Sequence, residues 1–320
     1  MKTFLFILTV LFLFSSCKKT DSNKTEAEKL GFEKDKKVLI LHADDAGMSL
    51  EANDAIAKYM EEGHIQSTAV MAPCPAFESF IDWAKNHSQN DIGMHLTLTS
   101  EWKTYRWPSV TDSAKVPGLI DTEGKLWHEV PDVVQHASAE EVETEIRAQI
   151  ELAKSLGWNP THIDTHMGTL YGSPEYVKVY LKVAEEYKIP AMVINLSNEK
   201  VLEGFRKSGY PLTEEVVEMV ANYSMPKLDF FTSVPGGKNY EEVRKNFFKL
   251  VKSIDAGLTE IIFHPSTETE NVKTITNSWQ QRVWEAQLFA DPVVKEFFKD
   301  EGIVFTNWIE VMERYNKSNS

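Results

Sequence analysis

The chain has 320 residues, of which 42% are hydrophobic, and a formal net charge of −14. This hydrophobic content supports a large core, which excludes a chain that is disordered over most of its length. The acidic balance and the lack of a basic stripe exclude a nucleic-acid or anionic-membrane surface, because both need clustered Lys and Arg. A neutral small molecule or a sugar is the expected partner, and an oligomer is possible.

The first 16 residues predict a lipoprotein signal peptide. Lys2 precedes an apolar run over residues 4–14, and two serines lie directly before Cys17. The run is shorter than the ~20 apolar residues that span a bilayer. The Ser-Ser-Cys ending resembles a bacterial lipobox, so we expect a lipid on Cys17, a place in the cell envelope and membrane contact only through this anchor. Ordinary secretion or a retained anchor are the alternatives.

Residues 17–35 are charged and poor in apolar side chains, which predicts a flexible tether. Residues 36–316 then form the folded part. If the signal peptide is cleaved and Cys17 carries lipid, Cys74 is the remaining free thiol and no internal disulfide can form. No histidine lies near Cys74 in the sequence, so we do not expect it to be a nucleophile.

Apolar runs and helical spacing alternate along the folded part. Strands are predicted at residues 38–41, 67–71, 91–98, 161–166, 191–195, 230–234, 260–263 and 303–306. Helices are predicted at residues 50–62, 76–86, 139–156, 174–187, 214–222, 240–253 and 279–299. This alternation indicates a parallel sheet with right-handed crossovers, and the number of units favours a barrel over an open sheet.

Residues 101–130 form a long insertion without periodicity, which predicts a wall or a lid of a site. Its tryptophans Trp102, Trp107 and Trp127 either stack on sugar rings or pack within the insertion. The turn after the first strand, ADDAGMS, lacks both GxGxxG and GxxxxGKS, so nucleotide binding has no support there.

Four ionisable clusters lie where predicted strands end: HADDAG (42–47), GMH (93–95), THIDTH (161–166) and FHPS (263–266). Parallel sheets and barrels carry their chemistry at this edge, so the clusters can converge on one site. In an extended strand His162, Asp164 and His166 share one face. Buried together they need hydrogen bonds, water or a metal, and a strand end satisfied by hydrogen bonds alone is the alternative. Asp164 is placed to orient an imidazole.

Asp44 and Asp45 can both face the site only if the chain turns where the strand ends, and Ala46-Gly47 could supply that turn. One carboxylate could then bind a metal while the other accepts a proton. Capping of the next helix is the alternative. His95 and His264 are each compatible with a site or with a buried core imidazole. The remaining histidines are expected to be structural or on the surface: His42, His64, His87, His128 and His136.

At these motifs the sequence resembles the YdjC/ChbG carbohydrate deacetylase family, relatives of the polysaccharide deacetylases. HADDAGMSLEANDAI is similar to the family's NADDFGLS opening with its downstream Asn, here Asn53. IGMHLTLT, PTHIDTHMG and FHPS follow in the family's order over about residues 37–310. The sequence departs from the family pattern at His42, Ala46 and residues 167–169, which predicts a pocket of altered width or polarity.

The resemblance implies a deformed (β/α) TIM-like barrel as a single catalytic domain. The implied reaction is hydrolysis of N-acetyl groups on amino-sugar oligosaccharides. By analogy Asp45, His95 and His166 bind one divalent ion, Zn²⁺ or Mg²⁺. Asp44 would then be the base and His264 the acid.

Two other functions remain open from the sequence. A metal-dependent O-acetyl esterase or phosphoesterase would keep the site and change the bond that is cleaved; no Arg-rich clamp for phosphate lies near the clusters, which disfavours the phosphoesterase. A non-catalytic lipoprotein would bind glycans through the Trp-rich insertion.

Overall fold

The structure, a computed structural model, describes residues 24–318. The predicted signal peptide, Cys17 and residues 18–23 lie outside the described residues. Helix α1 (Glu26–Lys29) falls within the segment predicted to be a tether. Thr25 and Glu28 form a capping box there, and the backbone N–H groups of Glu26 and Ala27 donate to Asp229. Residues 25–32 therefore lie against the domain, with Ala27 and Leu30 buried and Phe32 half-buried, where a tether is predicted, whereas residues 33–35 are exposed.

Within residues 24–318, seven strands form one parallel sheet. They are β1 (Lys37–Ala46), β2 (Ser67–Val70), β3 (Asp91–Leu96), β4 (Ile163–Thr165), β5 (Phe230–Ser233), β6 (Gly257–Phe263) and β7 (Val304–Phe305). Their order is β4-β3-β2-β1-β6-β5, and β7 pairs with the start of β1. The long strand β1 is buried over nine of its ten residues, as its continuous apolar sequence predicts.

Residues 191–195 were predicted to be a strand but make only isolated bridges. Ala191 bridges to Ile163 in β4, and Ile194 bridges to Leu228 just before β5. These contacts bring the two edges of the sheet together, so the sheet curls into a deformed barrel. The predicted α/β TIM-like barrel with a single domain is confirmed.

Helices surround the sheet. The longer ones are α2 (Leu50–Glu61), α3 (Phe77–Lys85), α5 (Ala139–Ser155), α6 (Pro174–Tyr187), α7 (Glu199–Lys207), α8 (Glu214–Asn222), α9 (Tyr240–Ser253), α11 (Trp279–Ala290), α12 (Pro292–Asp300) and α13 (Trp308–Ser318). Two short ones are α4 (Val130–His136) and α10 (Glu270–Ile275). Within residues 24–318, none of the helices has both the length and the apolar character that a membrane crossing requires.

The single helix predicted over residues 279–299 is two helices. The side chain of Asp291 accepts a hydrogen bond from the backbone N–H of Val293, which makes it the N-cap of α12. Pro292 follows at the first helical position, where its missing N–H is tolerated. The prediction missed this Asp-Pro start signal.

Candidate active site

Asp44 and Asp45 both face one cavity because β1 is irregular near its end. The pairing of β1 with β2 shifts register between Ala43 and Ala46, and Asp45 has a φ of 66°. Such an irregularity re-aims side chains, and left-handed backbone at a residue with a side chain is often found at functional sites. The predicted turn at Ala46-Gly47 is present, since the backbone N–H of Met48 donates to the carbonyl of Asp45 at 3.1 Å and Gly47 has a φ of 82°, and the irregularity at Asp45 directly precedes it.

His95 and His166 reach the same cavity from neighbouring strands. His95 is the fifth residue of β3, and His166 follows the last residue of β4. After His166 the chain bends through Met167 and Gly168, which have φ values of 53° and 67°. This bend ends the strand, so His166 lies at the rim while Asp164 lies one layer deeper in the barrel.

Three side-chain atoms form a small triangle, which we call the donor triangle: Asp45 Oδ1, His95 Nε2 and His166 Nδ1. The two nitrogens are 3.3 Å apart, and Asp45 Oδ1 lies 3.7 Å from His95 Nε2 and 3.5 Å from His166 Nδ1. Ligands at ~2.1 Å from a tetrahedral zinc ion lie roughly 3.4 Å from one another. Asp45 Oδ1 is buried and has no hydrogen-bond partner. The triangle therefore fits a divalent metal.

The second nitrogen of each imidazole contacts a carboxylate. His95 Nδ1 lies 2.7 Å from Asp164 Oδ1, and His166 Nε2 lies 3.0 Å from Glu101 Oε2. A carboxylate at this position fixes the ring tautomer and leaves the other nitrogen free to bind a metal. Sequence reasoning placed Asp164 in such a role but missed Glu101, whose only signal was its place at the start of the insertion after β3.

Arg282 is a further residue that the sequence reasoning missed. Its Nη2 atom donates to Asp45 Oδ2 at 2.7 Å, and both side chains are buried. Burial alone would raise the pKa of Asp45, but Arg282, followed by His264 and His166, lowers this pKa well below its usual range. Asp45 therefore stays ionised, and Arg282 holds one carboxylate oxygen while the other faces the donor triangle.

Asp44 and His264 lie beside the donor triangle. Asp44 Oδ1 is buried and lies 3.3 Å from His42 Nε2, and Asp44 Oδ2 lies 3.6 Å from His264 Nε2. Glu285 accepts a hydrogen bond from the backbone N–H of His264 and so fixes the start of this loop. The His264 side chain is 34% exposed, whereas that of Asp44 is 7% exposed. His264 therefore lies at the mouth of the site and Asp44 lies deeper.

His42 and His162 occupy a layer below the donor triangle. His42 Nε2 lies 3.0 Å from Asp164 Oδ2, and His162 Nδ1 lies 3.0 Å from Asp91 Oδ1. Burial alone would lower the pKa of His42, but the surrounding carboxylates, Glu260 first, raise it well above its usual value. The predicted structural role of His42 fits this position. His162 was expected to face the site with His166, and instead it supports the interior of the barrel.

Other combinations of these side chains are also close enough to hold a metal. They are His42 with His162 and Asp164, and Asp44 with His95 and Asp164. Both require Asp164, which already contacts His95 and His42. The donor triangle does not need Asp164 as a metal ligand.

The site opens into a cavity of about 510 Å³, within the ~300–1,000 Å³ typical of small-molecule sites. The sequence left it open whether Trp102, Trp107 and Trp127 stack on sugar rings or pack within the insertion. Of these three, only Trp102 lines the cavity. Trp107 is 1% exposed, and Trp127 donates to the carbonyl of Gly118 and stacks on His136 of α4, so both pack away from the cavity. Met167, one of the residues that depart from the family pattern, also lines the cavity and makes it less polar.

Comparison with known proteins identifies the family. The YdjC-like protein family matches residues 38–300, which is most of the chain. The chain belongs to the YdjC-like family. A carbohydrate deacetylase from Thermus thermophilus is 32% identical over 255 residues, which cover 80% of this chain and 86% of the relative. A carbohydrate deacetylase from Brevibacillus brevis is 28% identical over 274 residues, which cover 85% of this chain and 99% of the relative.

A crystal structure shares the fold of this YdjC-like protein. It is of a protein from Enterococcus faecalis V583 that is provisionally described as a cellobiose-phosphate cleavage protein. The TM-score is 0.70 at 24% identity, with 86% of this chain and 98% of that chain covered.

The resemblance stated from the sequence is thus confirmed, as is the prediction that this YdjC-like protein is an enzyme of the deacetylase class. The roles of individual residues stay predictions.

Proposed function

We propose that this YdjC-like protein is a metal-dependent hydrolase that removes N-acetyl groups from amino-sugar oligosaccharides. The curated relatives from Thermus thermophilus and Brevibacillus brevis, both named carbohydrate deacetylase, support the reaction class and the sugar substrate. The donor triangle carries the proposal of a metal, because its three atoms lie 3.3–3.7 Å apart and each imidazole is oriented by a carboxylate.

Asp45 Oδ1, His95 Nε2 and His166 Nδ1 would hold one divalent ion. Two imidazoles and one carboxylate suit Zn²⁺, whereas Mg²⁺ prefers oxygen ligands in octahedral geometry. When bound, such an ion supplies Lewis acidity, which makes water easier to deprotonate and an amide carbonyl easier to attack. We therefore propose Zn²⁺ as the better fit and Mg²⁺ as the alternative.

Asp44 and His264 would move the protons. Asp44 lines the cavity, and its Oδ2 atom, which lies on the side of His264, would accept the proton of the attacking water. His264 would donate a proton to the nitrogen of the departing amine as the C–N bond breaks, since an unprotonated amide nitrogen is a poor leaving group. Proton transfer of this kind contributes typically ~10²- to 10⁴-fold in rate.

Acetate release from N-acetylated and O-acetylated oligosaccharides tests the proposed function. We expect release from the N-acetylated sugars, loss of activity with a chelator and recovery with Zn²⁺. Release from O-acetylated sugars alone would make the protein an esterase. Sugar binding that survives chelation without any turnover would make it a binding protein.

We also propose that the protein is anchored in the cell envelope by a lipid on Cys17. The support is the sequence pattern of residues 1–17. Growth with radiolabelled palmitate should label the wild-type protein and not the Cys17→Ser variant. Equal labelling of both would remove the proposal of an anchor without affecting the proposed reaction.

A further inference from the structure

The cavity of the site has two ends of different chemistry. The donor triangle, Asp44 and His264 form the polar end. The other end, which we call the apolar lobe, is defined by Tyr171, Met192, Ile194, Phe205, Val220 and Ile262. Acetyl hydrolysis at the polar end makes no use of this lobe, so its presence needs another explanation.

The apolar lobe lies where the barrel is least regular. Residues 191–195 make only isolated bridges there, and helices α7 and α8 cover that side with Phe205 and Val220. Met192 and Val220 are 6% and 2% exposed, whereas Tyr171, Phe205 and Ile262 are half-buried. The lobe therefore extends the site cavity from half-buried toward buried apolar side chains.

The apolar lobe offers few hydrogen-bond partners to a ligand. The hydroxyl of Tyr171 donates to the carbonyl of Met192 at 2.6 Å and is already used. Glu260 and Tyr210 are the exceptions among the neighbouring lining residues: Glu260 Oε2 accepts from Trp308 and Oε1 has no partner, and Tyr210 brings a hydroxyl group close to Gly168. A sugar hydroxyl buried without a partner weakens binding by roughly fivefold to a hundredfold. A sugar ring with several hydroxyls therefore does not fit the lobe.

The position of His264 gives the direction of the substrate. As the proton donor to the amine, His264 must face the nitrogen, and its side chain is one-third exposed at the mouth. The sugar, which is attached to that nitrogen, then lies toward solvent. The acyl group is on the opposite side of the carbonyl carbon, so it points inward to the apolar lobe.

We infer that the apolar lobe binds the acyl chain of the substrate, so that the enzyme hydrolyses N-acyl amino sugars whose linear acyl chains are longer than acetyl. This inference rests on the proposed function. In the reaction, water adds to the carbonyl carbon and the C–N bond breaks. Asp44 accepts the proton of the water, His264 protonates the nitrogen, and a fatty acid and a free amino sugar leave.

A series of N-acylated glucosamines tests this inference with the metal-loaded protein. The acyl groups are acetyl, butanoyl, hexanoyl and octanoyl, and free amine is measured. Burial of each methylene is worth up to about fourfold in binding. We expect kcat/KM for the octanoyl compound to exceed that for the acetyl compound by at least tenfold. A kcat/KM that falls steadily from acetyl to octanoyl would overturn the inference.

Two matched variants of helix α8 test whether the dependence of kcat/KM on acyl-chain length arises in the apolar lobe. Val220→Phe adds volume inside the lobe, whereas Val217→Phe adds the same volume on the same helix at a residue that does not line the cavity. We expect Val220→Phe to lower the ratio of kcat/KM for the octanoyl compound to kcat/KM for the acetyl compound by at least tenfold. Val217→Phe should behave as the wild type. Equal chain-length profiles in all three proteins would contradict binding in the lobe.

The same assay separates this inference from the proposed function. Acetyl release without release of longer chains overturns the inference and leaves the proposed function intact. No release from any compound, with Zn²⁺ present, overturns both. An octyl glycoside of N-acetylglucosamine is the remaining control. If it is the only long-chain compound that is favoured, the lobe binds a group attached to the sugar, and the inference is wrong.

Discussion

At the scale of residues, the proposed metal ligands of the donor triangle are different residues from Asp44, the proposed base, so metal binding and proton transfer can be tested separately. We predict that His95→Ala and His166→Ala lose most of the bound metal and the activity, because each removes one ligand atom. Asp44→Asn should keep its metal and lose activity by at least about 100-fold, because it removes only the base. Metal content by mass spectrometry and acetate release check both. Full metal occupancy with normal turnover in the two alanine variants would remove the ligand assignment.

Loss of the proton donor should have a different signature. We predict that His264→Ala lowers kcat by about 100-fold or more and removes the fall in rate at alkaline pH, because the protonated imidazole is no longer present to donate. The pH profile of kcat measures this. An unchanged profile would mean that another group protonates the amine.

Glu101 should act through His166. We predict that Glu101→Gln weakens metal affinity by about 10- to 100-fold, because an amide orients the imidazole without increasing its basicity as a carboxylate does. Glu129→Gln is the matched control, since Glu129 lies in the same insertion and does not line the cavity. Titration with a metal indicator gives the affinities. Equal affinities in both variants would contradict the role of Glu101.

The site residues at the ends of strands could be predicted from the sequence. The site residues that other elements bring to these strand ends could not. Asp45, His95 and His166 could be found because each lies in or just after an apolar strand. Arg282 is 237 residues from Asp45 and lies within a helix, where a single Arg is an ordinary surface residue. Only the packing of α11 against the barrel shows that Arg282 is buried beside Asp45.

At the scale of elements, a close contact between β3 and the residue before β4 keeps the strands that carry His95 and His166 together. A Cβ atom at Gly93 would lie 2.5 Å from His162 Nε2. His162 is fully buried and contacts Asp91, so it cannot move easily. We predict that Gly93→Ala lowers the free energy of unfolding by about 1–3 kcal/mol, the usual cost of overpacking.

Gly204→Ala is the control for that prediction. Gly204 lies within α7, and nothing lies within 4 Å of the Cβ that would be added. Alanine is favoured over glycine in a helix, so this variant should be unchanged or more stable by up to about 1 kcal/mol. Urea unfolding measures both. Equal effects of the two substitutions would contradict close packing at Gly93.

Elements with strong local signals were predicted, and those defined by tertiary contacts were not. The strand at residues 38–41 and the helix at residues 174–187 have continuous apolar or helical patterns, and both are present. Residues 191–195 have the composition of a strand, but the barrel offers them only isolated bridges. Helix α7 was not predicted; it has no fully buried residue, and Val201, Leu202 and Phe205 pack half-buried against the core.

At the scale of the whole molecule, the interior of the barrel contains ionisable groups that link stability to pH. Burial raises the pKa of Glu260 from 4.5 to about 7, although His42 and His162 partly offset it. The folded state therefore favours the protonated carboxyl group. Stability is unaffected by this group below about pH 4.5 and decreases as pH rises from there to about 7, where the loss reaches roughly 3 kcal/mol.

We predict that Glu260→Gln removes this loss of stability. The amide oxygen can still accept the hydrogen bond from Trp308, and it does not ionise. In the presence of a chelator, the variant and the wild type should be similar near pH 4, and the variant should be more stable at pH 8. Urea unfolding at the two pH values measures the difference. Parallel pH dependence of the two proteins would show that Glu260 titrates normally.

The central claim is that Asp45, His95 and His166 bind one divalent ion. An anomalous difference map from a zinc-loaded crystal, collected at the zinc absorption edge, tests it most directly. We predict one strong peak per chain, at about 2.0–2.2 Å from Asp45 Oδ1, His95 Nε2 and His166 Nδ1. A peak among His42, His162 and Asp164, or no peak at saturating zinc, would contradict the claim.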